Sequence, residues 1–373
     1  MTYFSTQRDD LARLSNAGRR RCLISRKGHD FSSNDYLALA GEPRLKQSLL
    51  QAIGRGVPLG SGGSRLLGGN HIEHEALEEE AARFFQCEAA IYFSSGYAAN
   101  STLLSTLPQR GDLVVHDALI HASAHEGLRL GRAASLAASH NDVDDVARTI
   151  RKWRGEGGKG QVWIAVESLY SMDGDRAPLA DLYKLANQTD AILLVDEAHA
   201  TGVYGPKGRG LAADYDGCEN VITLRTCGKA LGCEGALVCG PAVARDILVN
   251  RGRGFIFSTA PSPLMAAAVR AALHILAEEP ERRDQLHALV AHASDQLESC
   301  GAIRTGSQIL PVIIGEDERT MKVAASLQEA GFDVRGIRPP TVAPGTSRLR
   351  VSITLNTTKE DIEDLASAIE RLS

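Results

Sequence analysis

Lys229 lies in the run Thr226-Cys227-Gly228-Lys229-Ala230-Leu231-Gly232. About thirty residues earlier an apolar run ends in Asp196-Glu197-Ala198-His199. A lysine among small residues lets a flat ring lie against the backbone and bond to its amine. A carboxylate at the end of an apolar strand can keep a ring nitrogen protonated, so that the ring accepts the electrons of a carbanion. Together the two point to pyridoxal 5'-phosphate (PLP), bonded to Lys229 and partnered by Asp196. Thr226 is placed to bind a phosphate oxygen. A freed lysine amine is a natural general base for a Cα proton.

Other residues could serve the same site. His199 could hydrogen-bond a ring hydroxyl, although alone it reads as a loop histidine. Ser94-Ser95-Gly96-Tyr97-Ala98-Ala99-Asn100 follows a strand and opens a helix, where backbone N–H groups meet an anion; an ordinary serine N-cap explains it equally well. His121 starts a helix and could stack on a flat cofactor, or simply cap that helix. Arg338, Arg348 and Arg350 cluster late in the chain and suit a carboxylate; surface ion pairs compete with that reading, above all for Arg348. Asp-Glu-Ala-His also occurs as a nucleotide-hydrolase metal box, but the Gly-x-x-x-x-Gly-Lys-[Ser/Thr] loop that box needs is missing: Thr223 replaces the first Gly and Ala230 follows the Lys. Gly60-Ser61-Gly62-Gly63-Ser64-Arg65 resembles a phosphate loop but follows a helical pattern rather than a strand. His71 and His74 have metal-pair spacing with no third ligand in view, so no metal centre is expected.

The elements that must position these groups follow from periodicity. Apolar strands at 90–93, 113–115, 162–166 and 192–195 alternate with helical patterns near 97–107, 120–130, 142–151 and 179–188. This predicts a mostly parallel sheet with helices on both faces, and ligands bind at the carboxyl ends of such strands. Ser94-Ser95-Gly96, Glu167 and Asp196 fall there. Helical patterns are also expected near 43–55, 71–86, 261–278 and 281–299, and a short amphipathic helix near the start. From about 300 a smaller α+β lobe is expected, with Arg348–Ile353 alternating as a half-buried strand. The resulting divisions are an N-terminal segment, 1–45, a large cofactor-binding domain, 46–275, and a small C-terminal domain, 276–373.

Bulk properties narrow the classes. The chain has 373 residues, 43% hydrophobic and 23% charged, which is ordinary for a globular protein. A net charge of -5 gives no support for nucleic-acid binding, and no apolar run is long enough to span a bilayer. Arg19-Arg20-Arg21 is not followed by the apolar stretch of a secretory signal. The seven cysteines are scattered without a Cys-x-x-Cys pair, as expected of reduced thiols in the cytoplasm.

In order along the chain, Asn34-Asp35-Tyr36, Gly60-Ser61-Gly62-Gly63-Ser64, Ser95-Gly96-Tyr97-Ala98-Ala99-Asn100, Ser171-Met172-Asp173-Gly174-Asp175, Asp196-Glu197-Ala198-His199 with Thr201-Gly202, and Thr226-x-Gly228-Lys229 resemble the α-oxoamine synthases, PLP enzymes of fold type I. Within that group the run 337–350 is most similar to the branch that joins alanine to a pimeloyl thioester, on CoA or acyl carrier protein, in biotin synthesis. The resemblance implies a homodimer with active sites at the subunit interface. It implies that Lys229 bonds the cofactor, Asp196 pairs with the ring nitrogen, His199 with the ring oxygen, and His121 stacks on the ring. Gly96, Tyr97, Ser171 and Thr226 would position phosphate or ring, and Thr259 would reach the phosphate in the partner subunit. Asn34 and Arg350 would hold the substrate, with Arg338 close by. Sister enzymes using glycine or serine are the near alternatives, and a non-catalytic protein that keeps the fold is a more distant one. Ala200, Cys227 and Glu234 depart from the family pattern, and Glu234 introduces a charge close to the lysine loop.

Overall fold

The computed structural model describes residues 3–25 and 27–372. The N-terminal part holds α1 (Ser5–Asn16), β1 (His29–Asp30), α2 (Pro43–Gly54) and α3 (Ile72–Phe84). The central part alternates β2 (Ala89–Phe93), α4 (Gly96–Thr106), β3 (Leu113–Asp117), α5 (Ala122–Leu130), β4 (Ala134–Ala138), α6 (Val143–Gly155), β5 (Val162–Glu167), α7 (Leu179–Gln188), β6 (Ala191–Asp196), β7 (Val221–Thr226) and β8 (Ala236–Gly240). Four helices follow: α8 (Ala242–Arg251), α9 (Arg253–Ile256), α10 (Pro263–Glu278) and α11 (Pro280–Leu297). The last part contains β9 (Ile309–Gly315), α12 (Asp317–Glu329), β10 (Phe332–Asp333), β11 (Arg335–Ile337), β12 (Ser347–Ser352) and α13 (Lys359–Leu372).

A seven-stranded sheet in the order β2-β8-β7-β6-β5-β3-β4 forms the centre. All neighbours are parallel except β7-β8 and β8-β2. β8 is therefore the one reversed strand, and β2, β3, β4, β5, β6 and β7 all end at the same edge. The strands are apolar on both sides because both faces are covered. Val114, Trp163, Leu194 and Leu224 pack on one face with Leu103 and Leu248. Leu113, Val115, Ile164 and Leu193 pack on the other with Ile150 and Leu182.

A three-stranded antiparallel sheet, β11-β12-β9, belongs to the C-terminal lobe. The N-terminal segment is stitched to it. β1 pairs with β10, Ser352 N donates to Phe31 O (2.9 Å), and Leu355 N donates to Tyr36 O (3.0 Å). This carries Asn34 and Tyr36 to the end of β12.

Two sequence expectations change. The alternation in β12 is real, but the strand is buried on both faces rather than half-buried. Leu349 and Val351 enter the main core, while Arg348 and Arg350 turn to the loop at 171–173, which satisfies their charges and lets them be buried. The early helix forms as α1 but buries no residue, with Leu11 and Leu14 exposed. An amphipathic face needs an apolar partner, and none of the described residues buries the apolar side of α1.

Gly232 shows how tightly the lysine loop is seated. Its φ is +62°, and a Cβ there would lie 2.3 Å from Leu39 C and 2.4 Å from Ala40 N, both backbone atoms. Gly232→Ala should therefore lower stability by about 2 kcal/mol or more, from left-handed strain plus overpacking. A clear drop in the urea midpoint is expected, and an unchanged midpoint would show that the two segments separate freely.

Candidate active site

Five chain segments converge where the parallel strands end. β6 delivers Asp196 as its last residue, and β5 delivers Glu167 beside it in register. β2 leads straight into α4, whose N-cap Ser95 accepts from Ala98 N (3.1 Å). The N–H groups of Gly96 and Tyr97 thus open onto the sheet edge with no partner inside their own helix. β7 ends at Thr226, and the chain then turns back into β8. Lys229 stands on that turn. The sequence reads the turn only as a glycine-rich loop; the reversal of β8 aims it over the sheet edge.

Asp196 is held on two sides. Asn100 Nδ2 donates to its Oδ2 (2.9 Å), and Ala198 N donates to its Oδ1 (2.9 Å). Burial raises its pKa above the ordinary carboxylate value, against the pull of Lys229 and the Ala198 N–H. Glu167 is pushed well above its ordinary value by burial and by Asp196 alongside it, and its Oε1 has no hydrogen-bond partner among the described residues. Two adjacent carboxylates at a dry sheet edge cannot both ionise readily. Asn100, His121, Glu167 and Asp196 share the lining of a small cavity.

Lys229 Nζ lies 2.8 Å from His199 Nε2. The lysine is half-buried. Burial lowers its pKa to about 8, and Arg350 adds to this, while Asp196 and Glu167 pull the other way. His199 is held well below its ordinary value by burial and by the cations Lys229 and Arg350, so its ring is neutral. Its Nδ1 lies 2.7 Å from Tyr36 Oη, and its backbone carbonyl accepts from Gln308 Nε2 (2.7 Å).

Arg350 donates from Nε to Ser171 O (2.6 Å), from Nη1 to Ser352 Oγ (2.7 Å) and from Nη2 to Asn34 Oδ1 (3.1 Å). Arg348 pairs with Asp173 (2.6 Å), the ion-pair reading that competed for it. The loop these arginines grip is fixed again by His140. That ring bridges Asp117 (2.9 Å) and Asp175 (2.8 Å), which raise its pKa to about 10 against its own burial.

The structure thus gathers Lys229, Asp196, His199, His121, Ser171, Thr226, Gly96, Asn34 and Arg350 around one edge. His121 caps α5, accepting from Ser123 N (3.2 Å), and its ring meets Tyr97 edge-on at 6.4 Å. A Cβ at Gly96 would lie 3.3 Å from Thr226 Oγ1, a tight contact that brings the start of α4 close to the end of β7. Two residues stand apart. Arg338 donates to Gly18 O (2.5 Å) and is not joined to Arg350. Thr259 is exposed between α9 and α10. Tyr36, Asn100 and Gln308 were not singled out from sequence. Tyr36 and Asn100 lie within the Asn34-Asp35-Tyr36 and Ser95–Asn100 motifs, while nothing local marks Gln308. Glu234 is exposed, and only its backbone carbonyl, accepting from Tyr92 Oη (2.7 Å), is engaged. His71 and His74 close a capping box on α3, and His74 reaches Pro261 O (2.8 Å). The glycine loop at 60–64 is laced to 260–262 through Ser61 Oγ to Pro261 O (2.6 Å).

A larger cleft of about 830 Å³ lies between α2, α3 and α10. Its Arg44, Arg55 and Arg270 are already paired with Glu278, Glu279, Glu73 and Glu80, which leaves no poised group for chemistry.

Residues 26–369 match the model of the aminotransferase class I and II family. The chain belongs to that family. It is 43% identical to an 8-amino-7-oxononanoate synthase of Geobacter sulfurreducens, covering 91% of this chain and 87% of the relative. It is 41% identical to a protein of Geobacillus kaustophilus described as a putative 8-amino-7-oxononanoate synthase, covering 96% and 92%. Among solved structures of similar shape are serine palmitoyltransferase from S. paucimobilis with a bound PLP–myriocin aldimine (TM-score 0.90, 25% identity, 99% of this chain and 97% of that one) and 8-amino-7-oxononanoate synthase from Francisella tularensis (TM-score 0.78, 26% identity, 92% and 97%). The family fold is the α/β fold with a mostly parallel sheet seen here.

Since Lys229 loses its proton near pH 8 rather than at the ordinary 10.5, its amine should become nucleophilic through about pH 7 to 9. Reductive methylation followed by mass spectrometry of the Lys229 peptide should level off above that range. A rate still climbing above about pH 10 would contradict the shift.

Proposed function

We propose that the protein condenses L-alanine with a pimeloyl thioester, releasing the thiol and carbon dioxide and forming 8-amino-7-oxononanoate, with PLP as cofactor. The carrying observation is the meeting of Lys229, Asp196 and Arg350 at one sheet edge. The relatives at about 40% identity carry the same named activity over most of their length. The cleft fits the cofactor: a cradle at Gly96 and Thr226, open N–H groups at the start of α4, an amine and a carboxylate.

PLP, when bound, supplies an aldehyde that takes up amines and a ring that stores electron density. Asp196 would hold the proton at the ring nitrogen, with Asn100 fixing the carboxylate. His199 would face the ring oxygen and His121 would cover the ring. Gly96, Tyr97 and Thr226 would hold the phosphate, and Ser171 would line the ring. Arg350 and Asn34 would hold the alanine carboxylate. Lys229 would take the Cα proton once alanine has displaced it, and would return a proton to carbon after carbon dioxide leaves. An amine titrating near 8 is close to the pH at which it must do both.

The finer assignments belong to the same reading. The acyl carrier is CoA or acyl carrier protein. The assembly is a homodimer. Exposed Leu59, Leu66, Leu67 and Phe257 lie on two segments tied together by Ala260 N to Gly63 O (2.9 Å), and α1 separately exposes Leu11 and Leu14. Thr259 on the same surface would reach the partner's phosphate site. No helix among the described residues is long and apolar enough to cross a membrane, and all seven cysteines are unpaired, which supports a reducing cytoplasm.

Lys229→Ala should abolish turnover and the borohydride-sensitive visible band. Arg350→Ala should raise the KM for alanine by roughly tenfold or more, as loss of a charged hydrogen bond does. Full turnover in the first variant, or unchanged alanine affinity in the second, would reject these roles. A screen of alanine, glycine and serine against several acyl thioesters should single out alanine with the pimeloyl donor; a preference for glycine or serine would move the chain to a sister activity. Sedimentation equilibrium should give twice the chain mass, and a monomer would remove the interface assignment.

A further inference from the structure

A continuous line of hydrogen-bonding groups runs from Arg350 through Asn34, Tyr36 and His199 to Lys229. Its direction follows from donor counting. Arg350 can only donate, so the atom of Asn34 that it meets at 3.1 Å is an acceptor, Oδ1. Tyr36 Oη lies 2.9 Å from the same oxygen and has one proton to give, which goes to Asn34. The tyrosine oxygen is left as the acceptor facing His199 Nδ1 at 2.7 Å, so Nδ1 carries the hydrogen of the neutral imidazole. The other ring nitrogen, Nε2, then presents a lone pair to Lys229 Nζ.

We propose that Tyr36 is a positioning residue that fixes this direction, holding His199 as the Nδ1–H tautomer and linking the carboxylate-binding arginine to the lysine amine. The inference deepens the function proposed above and rests on the roles given there to Arg350 and Lys229. Three features support it. Tyr36 is fully buried, so water does not compete for its hydroxyl. Gln308 holds the backbone carbonyl of His199 from the other side, and Tyr204 Oη donates to Gln308 Oε1 (3.0 Å), so the backbone that carries the imidazole is fixed, while Tyr36 and Lys229 engage its two ring nitrogens. The charged or titratable groups facing His199 are Lys229, Arg350 and His121. All disfavour a second ring proton, which keeps the tautomer question well posed.

The test is long-range ¹H–¹⁵N NMR of the full chain labelled at histidine nitrogen, before and after PLP is added, with His199 assigned by its loss in His199→Asn. A protonated Nδ1 is expected in both states, and an unprotonated Nε2 before PLP is added, while the free amine of Lys229 is its partner. A proton on Nε2 before PLP is added, or a bare Nδ1 in either state of the wild-type protein, overturns the proposal without recourse to any variant. Tyr36→Phe should mix or invert the two nitrogen signatures. It should also lower kcat about tenfold, the worth of one buried hydrogen bond, with the KM for alanine changed less than about twofold. An unchanged nitrogen signature in Tyr36→Phe, or a raised KM at unchanged kcat, would reduce Tyr36 to a prop for Asn34 and end the proposal. If PLP produced no visible band in the wild-type protein, the proposed function would fail while the tautomer could still be read.

Discussion

A buried amine holds its charge only while carboxylates close by offset the loss of water. Lys229 sits near that balance. Asp196 and Glu167 favour its ammonium form, whereas burial and Arg350 favour the free amine, and the outcome is a pKa of about 8. A fully solvated lysine would stay protonated and inert, and one with an unopposed carboxylate would stay locked as an ion pair. The rest of the site maintains this intermediate condition. Asn100 and Ala198 occupy the Asp196 oxygens, the neutral ring of His199 receives the amine, and Arg350 stands at the far end of the Tyr36–Asn34 line.

Holding that balance requires rigid backbone, and the sheet provides it. Six strands end at one edge because only β8 runs against them. A parallel sheet concentrates strand ends and helix starts on the same side, so Glu167 of β5, Asp196 of β6 and the start of α4 lie at one edge. The reversal at β7–β8 lets a lysine reach over that edge from a tight turn rather than from a long loop. Gly232 packs the turn against the backbone of Leu39 and Ala40, which ties the lysine to the same N-terminal segment that supplies Asn34 and Tyr36.

The C-terminal lobe completes the site through charge. Arg348 and Arg350 are buried on a strand, which is tolerable only because the 171–173 loop receives them. That loop is anchored in turn by His140 between two aspartates, where its charge persists far above the usual histidine range. Three segments widely separated in sequence are thus held to one another by ion pairs between buried and half-buried groups. Such contacts add little net stability but penalise any arrangement that leaves one member unpaired.

The sequence alone determined much of this. Apolar runs with period-two and helical spacing set the alternation of strands and helices, since burying apolar surface is indifferent to detail. Lys229, Asp196 and Arg350 could be singled out because their chemistry is rare in such settings. The order of motifs told the family. Tertiary structure alone decided the rest. Nothing local announces that β8 reverses, that β12 is buried on both faces, that Arg338 turns to Gly18, or that α1 lies bare on its own chain. Each depends on what another segment presents across space. The partners of His199 show the reason most clearly. Tyr36, Gln308 and Lys229 lie far from it along the chain, and hydrogen bonds depend on distance and direction between atoms, which residue order does not encode.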